Sequence, residues 1–476
     1  MRTVRTRPHP FRTVRTRPHP FRTVRTRAHL YDDSSVSDFF QLAARHTTVA
    51  REVRGGLSTF LAMAYILFAN PAILAAAGVP PEAALSATAL TAAVTSILMG
   101  VTANVPLAMA PGMGLNAVVA FQITAQTGSW QGAMGLVVVE GLLVLVLVVA
   151  GVREAVMTAI PVDLRRAIGV GIGLFIAFIG AVNARLVVVP GGTIAGLSRD
   201  PGSILPPVGA GSLANPETAL ALGGLLVAAV LLSRRQPGAL LISMVGTTAA
   251  ALAIGVASWP QGHWVSLPRF DTIGAADLSA ALTWSAVPIV LSLMMVDFFD
   301  TLGTATAVTE EAGLTDATGR VPGLKRLLAV DALGASIGGW FGASSSTAYI
   351  ESAAGVADGA RTGLHSVVVG VLFVLAAFLA PLAGVVPAAA TAPALIAVGF
   401  LMCTAIARVD FTRTETALPA FLTILLVPLT YSIAHGIGYG LLAYVAIAVC
   451  RGRARHLHPI MYGVALAFVL YFVWEG

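Results

Sequence analysis

Apolar runs separated by short polar connections repeat along this chain from about residue 57 to the C-terminus. Most of these runs approach the ~20 apolar residues that a helix needs to cross a bilayer. The pattern predicts fourteen membrane spans, at 57–78, 84–101, 105–123, 132–152, 165–183, 217–233, 238–258, 281–303, 327–342, 344–358, 363–382, 389–407, 417–434 and 436–450. A further apolar segment, 458–475, either crosses the membrane or lies in its interface.

Two of the predicted spans are interrupted. The third contains Pro106, Pro111, Gly112 and Gly114, and the tenth, 344–358, opens with a run of Ser and Thr. These residues weaken helices, and irregular backbone is tolerated at membrane depth only where protein buries it or where it lines a cavity. Each interruption falls in the third span of its half of the chain. This correspondence is typical of an inverted-repeat transporter with its binding site near the bilayer midplane.

Composition supports a membrane domain that occupies most of the chain. The sequence is 57% hydrophobic and only 11% charged, with a mean hydropathy of +0.83. Soluble domains have about 25% charged residues. We therefore predict an integral membrane protein without a soluble catalytic domain.

The basic residues predict the orientation of the spans, because they accumulate in cytoplasmic loops. The basic residues that border the predicted spans fall on one side of the membrane if the N-terminus is cytoplasmic, and the loops 184–216 and 259–280, which carry few basic residues, then face outward. The residues used are Arg51, Arg54, Arg165, Arg166, Arg234, Arg235, Arg320, Lys325, Arg326, Arg408, Arg413, Arg451, Arg453 and Arg455. Lys325 is the only lysine, a bias typical of a high-GC bacterial coding sequence.

The first 31 residues form an Arg-rich repeat. The motif RTVRTRPHPF occurs at 2–11 and 12–21 and continues as RTVRTRAHLY at 22–31. The net charge of +6 comes from its nine Arg, since the rest of the chain has 20 basic and 23 acidic residues. We expect this tail to be disordered. One interpretation is a polybasic arm that touches anionic lipid or nucleic acid. The other, which we favour, is a misassigned start codon or an expanded repeat without a role.

Four acidic or amide side chains lie deep inside apolar runs, namely Asn116, Asp297, Asp300 and Glu351. An ionisable side chain at bilayer depth costs at least ~2.5–3.5 kcal/mol on insertion scales. Such residues are therefore candidates for a functional site. Three carboxyl groups and an amide indicate a transporter whose substrate forms hydrogen bonds.

The eighth span places two carboxyl groups and two hydroxyl groups on one helix face. Asp297, Asp300, Thr301 and Thr304 have the spacing i, i+3, i+4 and i+7. Two carboxyl groups this close do not both ionise easily, so one of them can hold and release a proton. The alternative is structural, with one Asp accepting hydrogen bonds from the backbone of an interrupted helix.

The other candidates are suited to recognising a planar polar ligand. Glu351 follows the extended segment of the tenth span and could accept hydrogen bonds from substrate N–H groups at the start of a half-helix. Asn116 offers a donor and an acceptor, which suits a purine edge. Phe121, Phe298 and Phe299 are candidate stacking surfaces, although packing is the commoner role of aromatic residues in membrane spans.

Several functional classes lack their motifs. We find no GxxxxGK[ST] phosphate loop, no cluster of His and Cys with metal-ligand spacing, and no GxSxG nucleophile with a partner His. We therefore predict that the chain is not an enzyme and has no metal site. No cofactor is expected, apart from a proton as coupling ion.

Five segments together resemble a known family. They are GGLSTFLAMAYILFANPAIL at 55–74, APGMGLNAVVAF at 110–121, AIGVGIGLFIAFIGAVN at 167–183, VDFFDTLGTATAV at 296–308, and SSSTAYIESAAGVADGARTGLHSVVVGVLF at 344–373. In these segments the chain resembles the AzgA-type purine permeases, a branch of the nucleobase–cation symporter 2 (nucleobase–ascorbate transporter) family.

The resemblance implies an all-α polytopic fold of the UraA-like type, with two intertwined seven-span inverted repeats. Short antiparallel strands in spans 3 and 10 would meet at the substrate site. After a cytoplasmic segment at 32–54, a core domain would comprise 55–158 (spans 1–4) and 261–385 (spans 8–11). A gate domain would comprise 159–260 (spans 5–7) and 386–476 (spans 12–14 and the last apolar segment).

The resemblance also implies a function and a set of site residues. It predicts import of adenine, guanine and hypoxanthine with protons across the cell membrane, with Asn116, Asp297 and Glu351 as substrate ligands. Asp300, with Thr301 and Thr304, would support the site or relay the proton. Related folds dimerise through gate surfaces, so a homodimer is an expected arrangement, and no nucleic-acid partner is expected. The alternatives are transport of xanthine, urate or uracil, or a channel or anion exchanger of related architecture.

Overall fold

The computed structural model describes residues 34–151, 159–193, 208–259, 263–284, 286–315, 321 and 323–475. The Arg-rich tail lies outside this range, so its disorder stays a prediction. Part of the predicted outer loop 184–216 also lies outside the described residues. Phe299 and Asp300 are described by their backbone alone.

The first half of the described chain is almost entirely helical. Its helices are α1 Ser34–Phe40, α2 Val49–Met63, α3 Ile66–Leu74, α4 Pro81–Ala103, α5 Met113–Val118, α6 Thr124–Thr127, α7 Trp130–Val149, α8 Val162–Asn183, α9 Pro216–Ser233 and α10 Ala239–Ala253. A π-helical turn, Val119–Ile123, joins α5 to α6. The first long helix thus begins at Val49, before the predicted start of the first span.

The second half continues in the same way. Its helices are α11 Ala286–Glu311, α12 Leu324–Phe341, α13 Ser352–Ala357, α14 Gly363–Ala376, α15 Ala388–Cys403, α16 Thr414–Leu429, α17 Ile433–Cys450 and α18 Pro459–Glu475. Short 3₁₀ segments lie at Ala75–Ala77, Leu278–Leu282, Ala377–Gly384, Thr404–Arg408 and Ala454–His456.

Eight helical stretches in the described part of the chain are long and apolar enough to cross a bilayer. They are Val49–Ala77, Pro81–Ala103, Trp130–Val149, Val162–Asn183, Pro216–Ser233, Gly363–Gly384, Ala388–Arg408 and Ile433–Cys450. Shorter apolar stretches occur at Ala239–Ala253, Thr414–Leu429 and Pro459–Val473, and at Ile289–Phe298 within α11. The prediction of a helical polytopic membrane protein is confirmed, and the count of fourteen spans in two repeats stays a prediction.

The long helices pack mainly in two sets. In the first set, α14 lies against α4 and α2, while α12 lies against α7 and α4. In the second set, α8 packs on α15 and α16, α9 and α10 pack on α15, and α16 packs on α17. These sets are compatible with the predicted core and gate, whose boundaries stay a prediction.

Two of the helices in the first set touch backbone to backbone. A Cβ atom on Gly100 of α4 would overlap the carbonyl oxygen of Gly363 at the start of α14, and a Cβ atom on Gly363 would overlap that of Gly100. Small residues allow membrane helices to approach this closely and to gain dispersion energy along their length. The Gly content of these spans therefore serves helix packing.

Both interrupted spans contain a strand. Strand β1, Met109–Pro111, pairs antiparallel with β4, Ser346–Ala348, with Ala110 opposite Thr347. The predicted meeting of strands from spans 3 and 10 is therefore present. A second pair, β2 Val187–Val188 with β3 Gly209–Ala210, was not predicted from the sequence.

A buried carboxylate joins the start of the first long helix to the start of α14. Glu52 is fully buried and accepts hydrogen bonds from the backbone N–H groups of Arg361 (2.8 Å), Thr362 (3.3 Å) and His365 (3.2 Å). The Thr47 hydroxyl donates a fourth hydrogen bond at 2.8 Å. The first turn of a helix has N–H groups without partners in the helix itself, and Glu52 satisfies those of α14 from more than 300 residues away.

We predict that Glu52→Gln destabilises the protein by about 3 kcal/mol, because an amide group would present N–H donors to N–H donors in a buried place. The apparent melting temperature in detergent should fall clearly. The matched control is Glu82→Gln, since Glu82 forms an exposed ion pair with Arg269 at 3.3 Å. Such pairs contribute about 0–1 kcal/mol. Equal melting temperatures for the two variants would contradict the proposed capping role.

Gly338 on α12 provides the space for the extended segment of span 10. A Cβ atom at this position would overlap the carbonyl oxygen of Ser344, two residues before β4. We predict that Gly338→Ala lowers stability by about 1–3 kcal/mol or more, since backbone must shift to relieve the overlap. The control is Gly169→Ala on α8, where a Cβ atom meets nothing within 4 Å. A Gly338→Ala variant that melts like the control would show that the segment adapts without cost.

Candidate functional site

The centre of the candidate site is the pair of strands β1 and β4, whose six residues are all buried. Extended backbone is favoured here by Pro111 and by the hydroxyl-rich stretch before Thr347. Ser344 has a φ of +75°, a conformation that turns the chain sharply out of the end of α12. Hydrogen bonds extend the pairing on both sides, from Gly112 N–H to Ser345 O (2.8 Å) and from Tyr349 N–H to Ala108 O (3.0 Å).

Side chains form hydrogen bonds to backbone N–H and carbonyl groups that the strand pairing does not satisfy. The Ser96 hydroxyl bonds both the N–H and the carbonyl of Met109 at 2.9 Å. The Ser352 hydroxyl accepts from Ala108 N–H at 2.9 Å, and the Tyr349 hydroxyl donates to the Pro111 carbonyl at 2.5 Å. An unsatisfied backbone group in hydrocarbon costs several kcal/mol. These bonds therefore fix the irregular segment in one conformation.

Asn116 lies on α5, which begins directly after β1. Its backbone N–H bonds the carbonyl of Gly112 at 2.8 Å, as expected for the first turn of a helix. The side chain is fully buried, and neither its oxygen nor its nitrogen has a hydrogen-bond partner among the described residues. A buried amide normally has partners, so Asn116 is equipped to bind a ligand that both accepts and donates.

Glu351 follows strand β4 and is the N-cap residue of α13. The predicted half-helix after the extended segment is therefore present. Its side chain is half-buried. The hydroxyl of Tyr65, a fully buried residue of the first span, donates to Glu351 Oε1 at 2.9 Å. The first span thus contributes to a site that the sequence analysis assigned to spans 3, 8 and 10.

The long helix α11 carries the two predicted Asp residues. Asp297 is fully buried, and so are Phe298 and Thr301, whereas Thr304 is half-buried. The Thr301 hydroxyl donates to Asp331 Oδ1 at 2.7 Å, and Asp331 is itself fully buried on α12. Helix α11 contacts α5, β4 and α13, so the helix that carries Asp297 packs on the helix that carries Asn116 and on the helix that Glu351 caps.

Two of the three predicted stacking residues, Phe298 and Phe121, differ in their surroundings. Phe298 is part of the hydrophobic core. Phe121, in the π-helical turn, is half-buried and meets the ring of Tyr431 edge-on at 5.8 Å. The adjacent Gln122 donates to the carbonyl of Tyr431. The described side chains do not extend to Phe299 or Asp300, whose roles stay predictions.

Sequence reasoning missed three buried polar residues, of which Tyr65 and Asp331 form hydrogen bonds to predicted site residues. Glu140 on α7 and Asp331 on α12 lie in apolar runs and are fully buried, so the signal used for the other acids applied to them as well. Tyr65 gave no signal, because a tyrosine in a membrane span has an ordinary packing role. No group of three or more potential metal-ligating side chains occurs in the described part of the chain.

Comparison with known proteins identifies the family. Residues 50–439 match the Xan_ur_permease family, described as "Permease family". The chain is 39% identical over 440 residues to the adenine permease AdeQ of Escherichia coli, covering 92% of this chain and 96% of AdeQ. It is 40% identical over 449 residues to the guanine/hypoxanthine permease PbuG of Bacillus subtilis, covering 92% and 99%.

Solved structures agree on the fold. The transmembrane domain of the cyanobacterial bicarbonate transporter BicA gives a TM-score of 0.58 at 17% identity, covering 82% of this chain and 97% of BicA's domain. SLC26A9 gives a TM-score of 0.59 at 13% identity, covering 91% and 73%. The resemblance to purine permeases noted from the motifs is confirmed by these relatives, and the prediction of a transporter rather than an enzyme is confirmed as well. This chain belongs to the Xan_ur_permease family of membrane permeases.

Proposed function

We propose that this protein imports purine nucleobases, namely adenine, guanine and hypoxanthine, across the cell membrane together with protons. The observation that carries the proposal is the buried Asn116 amide, which has no hydrogen-bond partner among the described residues, in a chain about 40% identical to permeases named for these bases. A nucleobase presents both donors and acceptors at its edge, as the amide does.

The carboxylates complement the other side of such a ligand. Glu351 and Asp297 accept hydrogen bonds from ring or exocyclic N–H groups, and a charged acceptor forms roughly twice as strong a hydrogen bond as a neutral one. Glu351 is half-buried, so its carboxylate is partly shielded from water and is still accessible to a ligand. Phe121, Phe298 and Phe299 stay candidate stacking residues in this proposal.

The same acids account for proton coupling. Asp297 and Asp300 are one helical turn apart on α11, and their proximity disfavours two charges in a low-dielectric setting. A proton taken up by this pair reduces its negative charge by one, which lowers the cost of holding the pair in a low-dielectric setting. Asp300, Thr301 and Thr304 would support this exchange, and Asp331 extends the polar chain through its bond with Thr301.

Transport would proceed by movement of the predicted core against the predicted gate, with the N-terminus in the cytoplasm. The two sets of packed helices are in keeping with this mechanism, since each set is held together more extensively than it is held to the other. Transport of xanthine, urate or uracil, or a channel or anion-exchange activity on the same fold, is the alternative. Three acids near the site disfavour a free anion as cargo.

The proposal is tested by uptake of radiolabelled adenine, guanine and hypoxanthine into cells that lack their own purine permeases, with and without a protonophore. We expect saturable uptake that the protonophore abolishes, because the proton gradient is the only proposed energy source. Uptake that persists in the presence of the protonophore would contradict proton symport. If none of the three bases is taken up although the protein is present in the membrane, the proposed purine import is contradicted.

Glu351→Gln should reduce uptake at low substrate concentration by about 10-fold or more, because a charged hydrogen bond contributes about 1.5–3 kcal/mol. Folding should be retained, since the Tyr65 hydroxyl can also donate to an amide oxygen. Uptake is measured per amount of protein in the membrane. The control Glu82→Gln changes an exposed residue in the same way and should leave uptake unchanged. Normal uptake by Glu351→Gln would exclude Glu351 from the site.

A further inference from the structure

Phe121 and Gln122 of the predicted core meet the predicted gate at Tyr431. The Gln122 side chain donates a hydrogen bond to the carbonyl of Tyr431, and the ring of Phe121 lies edge-on to the tyrosine ring, with 5.8 Å between the centroids. The candidate ligand Asn116 lies about one and a half helical turns earlier in the same span. The contact therefore joins the two parts that are proposed to move against each other, close to the candidate site.

An irregular turn directs the two core side chains toward the gate. Residues Val119–Ile123 form a π-helical turn, and the Thr124 hydroxyl donates to the Val119 carbonyl at 2.8 Å. A π-helical turn holds one residue more than an α-helical turn and is frequent at functional sites. It changes the direction in which Phe121 and Gln122 leave the helix.

Tyr431 has an unusual backbone conformation on the other side of the contact. Its φ is +55°, and it follows α16 at the position where helices commonly end with glycine, with its N–H bonded to Pro428 O at 3.3 Å. A bulky residue is rare in this conformation and persists where its surroundings hold it. The rings of Phe175 and Phe178 on α8, at 5.0 and 6.2 Å from the tyrosine ring, fix Tyr431 within the predicted gate.

The predicted orientation puts this contact on the outer side of the site. Helix α16 begins after Arg413 and α17 ends before Arg451, and both arginines are predicted to be cytoplasmic, so the turn with Tyr431 faces outward. On the core side, the carbonyl of Gln131 at the start of α7 accepts from the N–H of Asp277, in the predicted outer loop, at 2.8 Å. The chain from β1 through α6 thus runs toward the outer surface.

We propose that Gln122 and Tyr431 form an outer latch, which closes the path between the site and the outside and must open for a base to enter. This inference rests on the proposed purine transport and on the predicted core and gate. A second contact between these parts lies on the other side of Asn116 along the chain, where a Cβ atom on Gly114 would be 2.8 Å from Ile172 Cγ2. Asn116 is fully buried between the two contacts.

The chemistry of the latch suits a contact that opens in every transport cycle. The hydrogen bond is neutral, and such a bond contributes little net free energy when both groups can bond to water instead. The rings of Phe121 and Tyr431 cover the bond with apolar surface while it is closed. The latch therefore closes the path without holding it permanently.

The test joins the latch covalently. Cys403→Ala and Cys450→Ala remove the two native cysteines, and Gln122→Cys with Tyr431→Cys is then treated with a short, reducible bis-thiosulfonate reagent. We expect cross-linking to reduce hypoxanthine uptake to the background of cells without the protein, because the site can no longer open outward. A reductant should restore uptake.

The matched control is Phe178→Cys with Tyr431→Cys in the same background. The two rings are 6.2 Å apart, but both residues belong to the predicted gate, so this cross-link moves with the gate and should leave uptake unchanged. Unchanged uptake by the cross-linked Gln122 and Tyr431 pair overturns the proposal, and so does an equal loss in both pairs. Failure of the first pair to cross-link while the control pair does so overturns it too.

Gln122→Leu tests the latch without a reagent, since leucine has a similar volume and no N–H donor. The protein should then open outward more often. We expect the KM for external hypoxanthine to fall about 2–10-fold, in line with one neutral hydrogen bond, because the apparent affinity rises with the fraction of protein that is open to the outside. An unchanged or raised KM, whatever the Vmax, would contradict the latch.

Uptake before cross-linking separates this inference from the function on which it rests. If neither the wild type nor the untreated cysteine variants import a purine base, the proposed function fails. If they import it and the cross-linked latch pair still does so, only the outer latch fails.

Discussion

Backbone hydrogen bonding at membrane depth is the constraint on which the rest of this structure depends. The chain leaves the helical conformation twice within its packed interior, at β1 and at β4, and hydrocarbon offers no water to satisfy the exposed N–H and carbonyl groups. The two segments solve the problem for each other by pairing from Met109–Ala348 to Pro111–Ser346. Ser96, Tyr349 and Ser352 satisfy adjoining groups from neighbouring elements. Neither interruption could persist alone, so the two halves of the chain must come together for the site to form.

The placement of the candidate ligands follows from this pairing. Helix α5 starts two residues after β1 and α13 starts four residues after β4, so Asn116 and Glu351 are each held within one or two turns of the strands. Helix α11 packs against both half-helices and β4, which brings the buried Asp297 to the same region. A site built on short rigid elements with satisfied backbone can hold its polar side chains in a fixed geometry.

The sequence was sufficient for the features that depend on local chemistry. Pro, Gly and Ser in 105–123 and 344–358 mark the interruptions, and buried polar residues in apolar runs mark Asn116, Asp297 and Glu351. It was insufficient for contacts between distant residues. The hydrogen bonds that Arg361 N–H donates to Glu52 and that the Tyr65 hydroxyl donates to Glu351 join positions 309 and 286 residues apart, and no local pattern pairs them. Glu140 and Asp331 are also acidic residues within apolar runs, so the criterion that marked the other acids applied to them, although they were not selected as candidates.

The two best-described candidate ligands differ in how well the protein satisfies them, and this difference bears on how binding is driven. Glu351 keeps the bond from Tyr65, whereas the buried Asn116 amide has no partner among the described residues. Leaving a buried polar group unsatisfied costs about 1–3 kcal/mol, so Asn116 must bond to water or to a ligand in its working states. A ligand that supplies a matching donor and acceptor relieves this cost, while one of the same shape without them retains it. In the proposed function, discrimination against apolar or incorrectly patterned ligands would therefore come from the amide, because rejection is strongest where a polar group would be left unpaired. Glu351, already held by Tyr65, would in the same proposal contribute orientation and charge, so that Asn116 selects a hydrogen-bonding edge and Glu351 fixes its direction.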